Sequence, residues 1–246
     1  MQGSGTCLQT YIPMRLEPRS GAEMVSTLIF GESYSVLAED NGFLKIRTDF
    51  DAYEGWISAN TFSEFTEFDA MNEHVFTEAH GEHQTLFIPC GAAIPESGNL
   101  QIDGQSFKLE RKLKTYHHLP QALRLQKLAL SFMNAPYLWG GRTFMGIDCS
   151  GLVQVVFKAN GFKLPRDTGM QIACGNAVED LASSKPGDLV FFSKPDAEKV
   201  THVGMLLDKG RIIHASGKVR VDELKKDGIF IDGKLAYKTL QIRRII

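Results

Sequence analysis

The hydrophobic period of this chain changes from strand to helix near residue 115, and that change limits the architecture more than any single motif does. Upstream, runs rich in β-branched and aromatic residues (10–14, 26–30, 33–38 and 43–48) are separated by turn signals such as Gly31-Glu32, Asp40-Asn41-Gly42 and Asp49-Phe50-Asp51. Strands this short and closely spaced predict a small barrel over residues 1–65. Residues 66–115 repeat the texture more weakly, with strand-like runs at 85–89 and 100–102 and Gly91, Gly98 and Gly104 as punctuation. They predict a second, reduced barrel. Downstream, Leu125, Leu128, Ala129, Phe132 and Met133 fall on one helical face behind Pro120. A second helix is expected over 149–159, stopped by Asn160-Gly161. Past Pro186-Gly187 the pattern returns to strand, at 188–193, 202–207, 211–215 and 241–245. Helices followed by an antiparallel sheet predict an α+β domain over 116–246.

The formal net charge is −2, and no run of Lys and Arg could track phosphates, so nucleic acid and acidic membrane surfaces are not expected partners. No apolar stretch reaches the roughly 18–20 residues needed to span a bilayer. The opening Met1-Gln2-Gly3-Ser4-Gly5-Thr6-Cys7 has neither a basic start nor an apolar run. A cytoplasmic protein is therefore expected, or a secreted one if a leader has been removed. Cys7, Cys90, Cys149 and Cys174 form no CxxC pair, so no metal and no cofactor are expected and free thiols are.

The densest chemistry lies in Pro136-Tyr137-Leu138-Trp139-Gly140-Gly141 and in Gly146-Ile147-Asp148-Cys149-Ser150-Gly151. A thiol is a useful nucleophile as its thiolate, and the unpaired N–H groups and dipole of a helix N-terminus favour that charge. Cys149 stands where a loop ends and an apolar helix begins (Leu152, Val153, Val155, Val156, Phe157), with Asp148 placed to cap it. Two imidazoles follow downstream. His202 opens one strand, and His214 ends the next after an Asp208-Lys209-Gly210 turn. Neighbouring antiparallel strands lie about 5 Å apart, so one ring can act as base while the other fixes its tautomer. Trp56 and Trp139 read as core aromatics, Cys7, Cys90 and Cys174 as buried small hydrophobes, and His74, His80 and His83 as solvent-facing. His117-His118 reads as an approach to the first helix, since no further metal ligand accompanies it.

Pro-Tyr-x-Trp-Gly-Gly, Asp-Cys-Ser-Gly, Lys185-Pro186-Gly187-Asp188-Leu189-Val190-Phe191-Phe192, Thr201-His202-Val203-Gly204 and Ile213-His214-Ala215 closely resemble, in that order, the NlpC family of papain-like peptidases. The resemblance covers roughly residues 117–246. It implies Cys149 as nucleophile, His202 as base and His214 as the orienting residue, with helix-start N–H groups and Tyr137 at the oxyanion. Gly55-Trp56-Ile57 and the segment 22–32 are similar to the bacterial SH3-type domains that precede such peptidases. Together these imply the branch that cuts the γ-D-glutamyl–diamino acid bond of cell-wall peptides beginning with a free L-Ala. In that branch an Arg-Asp-Ser motif helps hold substrate; here it reads Arg166-Asp167-Thr168. Asp148 and Ser150 beside the nucleophile are implied binding residues too. Tyr53 and Glu23 match the tyrosine and acid that the first SH3-type domain provides for the amino end.

A free ammonium is costly to bury unless carboxylates pair with it, so Asp167 and Glu23 would select an unblocked amino end. The expected partner is then a small peptide, L-Ala-γ-D-Glu-diamino acid, in which the diamino acid is either meso-diaminopimelate or L-lysine. Two other functions remain compatible with the residues: an amidase or acyltransferase of the same fold, and a catalytically inert module that binds cell-wall peptide.

Overall fold

In the computed structural model the chain forms two compact units, Met1–Thr115 with Trp139–Phe144, and Tyr116–Leu138 with Met145–Ile246. Residues 3–110, 118–208 and 210–246 are described. The expected boundary between residues 115 and 116, and His117 of the histidine pair, fall outside them.

Among its described residues the first unit is all β apart from one short 3-10 turn. Its larger sheet has six antiparallel strands in the spatial order Gly3–Thr6, Ser33–Asp40, Phe43–Thr48, Glu54–Ser58, Tyr11–Arg15 and Met24–Ile29. The period of two decides what fills it. Ile12 and Met14, Tyr34 and Val36, and Leu44 and Ile46 alternate inward along their strands. Ile57 takes the inward place on its own strand, so Trp56 turns outward beside Arg15 and Lys45 and is only partly buried, not the core residue expected.

A second module in the same unit is a four-stranded antiparallel sheet in the order Asn99–Ile102, Gln105–Leu109, Phe76–His80 and Thr85–Pro89. Its core gathers Ala79, Ile88, Leu100 and Phe107 around Phe30. The segment Trp139–Phe144 belongs to this unit although it sits in sequence among catalytic-domain residues. Arg142 anchors it: the guanidinium donates to Glu32 at 2.8 and 2.9 Å and to the Thr27 carbonyl at 2.8 Å, with Arg142 and Glu32 both buried. Trp139 is 58% exposed and donates its indole N–H to Glu23 at 2.8 Å. It is a surface donor, not a core aromatic, because the glycine-rich segment holds it on the outside of its unit.

The second unit is α+β. Helix Gln121–Ser131 buries Leu125, Leu128 and Ala129, the face its apolar spacing specifies. Helix Cys149–Lys158 is buried along its whole length. It packs on the strands His202–Asp208 and Arg211–Ser216. The sheet continues antiparallel through Lys218–Lys225 and Gly228–Ile231. The long strand Lys234–Arg244 then pairs with Gly228–Ile231 on one side and with Leu189–Ser193 on the other, which closes six strands into a ring. Inside that ring Val190, Phe192, Leu206, Ile212, Leu224 and Ile229 form an apolar core.

Candidate active site

The thiol is placed by its helix. Asp148 is the N-cap; its carboxylate accepts the Gly151 N–H at 2.7 Å, which starts the helix at Cys149. The same carboxylate is gripped by Arg166, at 2.5 Å to Oδ2 and 3.1 Å to Oδ1, and Arg166 also donates to the Ser150 hydroxyl at 2.8 Å. All three side chains are buried. A bidentate ion pair removed from water is strongly bound only when its geometry is this complete. Asp148 and Ser150, expected to hold substrate, thus have their polar groups engaged in a buried network that fixes the helix start.

Cys149 is 5% exposed. Burial pushes its thiol up to about 11, and the Asp148 charge adds to this; the Val203 N–H, the Thr168 hydroxyl and Arg166 pull the other way. The Val203 contact puts the sulfur beside the residue that follows His202. A thiol held up in this way needs a neighbouring base to take its proton.

The candidate base, His202, is also placed by strand register. Gly204 lies directly opposite His214, and His214 opposite Arg220, so His202, His214, Arg220 and Asp222 share one face of the sheet. His202 Nε2 meets His214 Nδ1 at 2.8 Å, and His214 Nε2 meets Asp222 Oδ2 at 2.8 Å. Arg220 in turn holds Asp222, with Nε 2.5 Å from Oδ2 and Nη2 2.7 Å from Oδ1. Tyr237 stacks on His202, ring centroids 4.1 Å apart and planes 15° from parallel. Burial, then the neighbouring His214, hold His202 well below the ordinary imidazole range, so it is neutral and able to accept a proton at neutral pH. Burial works against the Asp222 charge, but the His214 and Arg220 hydrogen bonds outweigh it and keep the carboxyl below its usual range.

Tyr137 is tied to both sides of the site by its backbone. Its N–H donates to the Gly217 carbonyl at 3.0 Å, and it bridges Ile147 just before the nucleophile. Burial and the nearby Cys149 raise its pKa, so the phenol keeps its proton and is a donor. Thr168 opens the short helix Thr168–Gln171, and Asp167 is its exposed N-cap. The structure therefore brings Cys149, His202, His214, Tyr137, Asp148, Ser150 and Thr168 together in the second unit. Glu23 and Tyr53 belong to the first unit. There Glu23 is exposed and accepts the Trp139 indole N–H, and Tyr53 packs partly buried against the barrel core.

Sequence reasoning did not find Asp222, Arg220, Tyr237 or the role of Arg166. The signal for Asp222 and Arg220 was weak: they lie on Lys218–Lys225, where charged residues mask the strand alternation. Cys174 is partly exposed rather than buried. Among the described residues Glu78, His80 and Glu110 stand close enough to suit a metal ion, but they are exposed or half-exposed groups of the first unit, without a further feature that points to one.

A thiol at a helix N-terminus, beside Val203 on the strand that carries one of two hydrogen-bonded imidazoles, is the arrangement of a papain-like thiol site. Residues 134–231 match the NlpC/P60 family, and residues 14–61 match the bacterial dipeptidyl-peptidase Sh3 domain. The chain thus carries an NlpC/P60 domain of papain-like fold, preceded by a bacterial dipeptidyl-peptidase SH3-type domain. It is 42% identical over 85 residues (34% of this chain, 28% of the relative) to a γ-D-glutamyl-L-lysine dipeptidyl-peptidase of Bacillus subtilis. It is 33% identical over 199 residues (71% and 60%) to a protein of the same name from Bacillus cereus. The chain thus spans about a quarter and three fifths of the length of these relatives. A crystal structure of an NlpC/P60 family protein from Bacillus cereus superposes with a TM-score of 0.77 over 99% of both chains at 18% identity, which speaks to fold.

Proposed function

We propose that this protein is a cysteine peptidase that cuts the γ-D-glutamyl–diamino acid bond of murein peptides with a free N-terminal L-Ala. The observation that carries this reading is Cys149 at its helix start, beside Val203, with His202 backed by His214. The Cys149 sulfur attacks the γ-carbonyl carbon of D-Glu while His202 takes the thiol proton. Charge developing on the carbonyl oxygen is met by the Cys149 backbone N–H and the Tyr137 phenol. Collapse of the adduct breaks the C–N bond as His202 returns the proton to the leaving amine. Water then hydrolyses the thioester and frees the L-Ala-D-Glu dipeptide.

The dipeptidyl-peptidase relatives support the choice of bond and the demand for an unblocked amino end. Use inside the cell for recycling belongs to the same proposal; its support is four cysteines in the free state, which suit a reducing compartment. The test is incubation with L-Ala-γ-D-Glu-L-Lys and with its diaminopimelate counterpart, each free and N-acetylated, followed by mass spectrometry. Release of L-Ala-D-Glu from the free peptides, with about 30-fold or greater loss on acetylation, is expected; a lost ionic partner costs about 2 kcal/mol or more. Cys149→Ala is the blank. Cleavage at another bond, or equal rates on free and acetylated peptide, would overturn the reading.

A further inference from the structure

We propose that Asp222, gripped by Arg220, is a positioning residue that sets the tautomer of both active-site imidazoles and so makes Nδ1 of His202 the atom that takes the thiol proton. The inference rests on the peptidase reading above.

The argument follows the protons outward from the sheet edge. An ionised carboxylate can only accept, so at 2.8 Å from Asp222 the His214 Nε2 must carry a proton. A neutral imidazole has one N–H and one lone pair. His214 Nδ1 is then the acceptor, and the 2.8 Å contact requires His202 Nε2 to donate into it. Only Nδ1 of His202 is left bare. Without the carboxylate the pair can reverse: His214 Nδ1–H donates to His202 Nε2, the His202 proton moves to Nδ1, and that ring can no longer accept from a thiol. Arg220 contributes by holding both oxygens, which fixes Oδ2 toward His214. Burial strengthens the preference, because His214 is fully buried and its hydrogen bonds are made away from bulk water.

The groups facing this pair come from four elements. Cys149 approaches from its helix, with Asp148 and Arg166 behind it, and Tyr137 from the loop before that helix. Tyr237 stacks from the closing strand, and Asp222 with Arg220 comes from Lys218–Lys225, Arg220 also feeling Asp232. Among these, Asp222 is the anion hydrogen-bonded to the imidazole pair.

In the well-known serine triad a buried Asp acts on one ring, and its amide substitution costs about 10⁴ in kcat. Acting here through two rings, Asp222→Asn should lower kcat about 10- to 100-fold and leave KM within about threefold. Loss of an anion favours deprotonation, so both limbs of the kcat/KM profile should move to lower pH, by about half to one unit. With its counter-anion gone, the thiolate–imidazolium form is rarer, and alkylation of Cys149 by iodoacetamide at pH 7 should slow about three- to tenfold. Site-resolved mass spectrometry separates this from labelling of Cys174. In a His214→Ala background the Asp222→Asn change should have almost no further effect, since its route to His202 is gone. Should Asp222→Asn melt far below the parent, Arg220→Gln keeps the carboxylate but loosens it and should move the same readouts less. Unchanged alkylation and pH limbs, or an effect that multiplies in full with His214→Ala, would overturn the assignment. Alkylation needs no peptide: if it responds as stated while neither murein peptide is cut, the peptidase reading fails and the tautomer relay stands.

Discussion

Asp148 has two possible jobs, and its surroundings weigh them differently from its sequence context. Beside a nucleophile it invites a role in binding substrate, yet its carboxylate is buried against Arg166 and caps the catalytic helix. Removing one charge of such a pair leaves the other buried and uncompensated, at a cost of about 3–5 kcal/mol. Asp148→Asn should therefore lower stability by that order in denaturant titrations made without any ligand, and a variant as stable as the parent would return Asp148 to the substrate. The protonation of the thiol–imidazole pair gives a second expectation at this scale. His202 is pushed below 6.5 and Cys149 up to about 11, so the pair holds one shared proton across the neutral range. The rate needs that one-proton state. It should rise as pH climbs through the depressed imidazole value, with its ascending midpoint below 6.5, and fall only well on the alkaline side. An ascending midpoint above 7 in the kcat/KM profile would contradict this.

The strands that bear His202 and His214 belong to a sheet closed by a strand that carries neither imidazole nor thiol. Lys234–Arg244 pairs with a strand on each side and brings Tyr237 over His202. Its pairing with Gly228–Ile231 needs a glycine. Gly228 has φ +150°, and a Cβ there would stand 1.8 Å from the Tyr237 carbonyl oxygen, inside any possible contact. Backbone in such a region costs a non-glycine residue about 1–3 kcal/mol before the clash is counted. Gly228→Ala should lower the melting temperature, and it should lower kcat more than Gly233→Ala, a turn position that shares the backbone strain (φ +76°) but where a Cβ meets nothing within 4 Å. Equal effects of the two substitutions would mean that closure of the ring does not support the site.

At the scale of the whole molecule, the two units are interleaved in sequence. Trp139–Phe144 leaves the catalytic unit and returns to it, and Arg142 within it finds Glu32 and Thr27 in the first unit, to which this segment belongs. A chain begun at residue 116 keeps Arg142 and loses both partners. A guanidinium that is 2% exposed in the intact protein must then find water or stay unpaired. The shortened chain should express less soluble protein and melt lower than the full one, and Arg142→Met should recover part of that loss in the shortened chain while destabilising the intact one. A shortened chain as stable as the parent would show that this anchor is dispensable.

Much of this was determined by the sequence alone. The two helices were legible from apolar spacing, and the helix start at Cys149 from a capping residue before an apolar run. The strands bearing His202 and His214 were legible because each is a short apolar run with a turn between, so local chemistry sufficed to put the two rings side by side. Other features depended on register and on packing between distant segments. Lys218–Lys225 has too few apolar residues to read as a strand, so Asp222 could not be placed diagonally across from His214 until the ladder was known. Trp139 looked like core because aromatic residues usually are, and only packing against its own unit turned it outward to Glu23. Arg166 met Asp148 across 18 residues through a fold of the chain that no local period encodes. Sequence periodicity reports which face of an element is apolar; which polar groups meet across buried faces is decided by tertiary structure, because hydrogen bonds demand ångström placement and apolar burial does not.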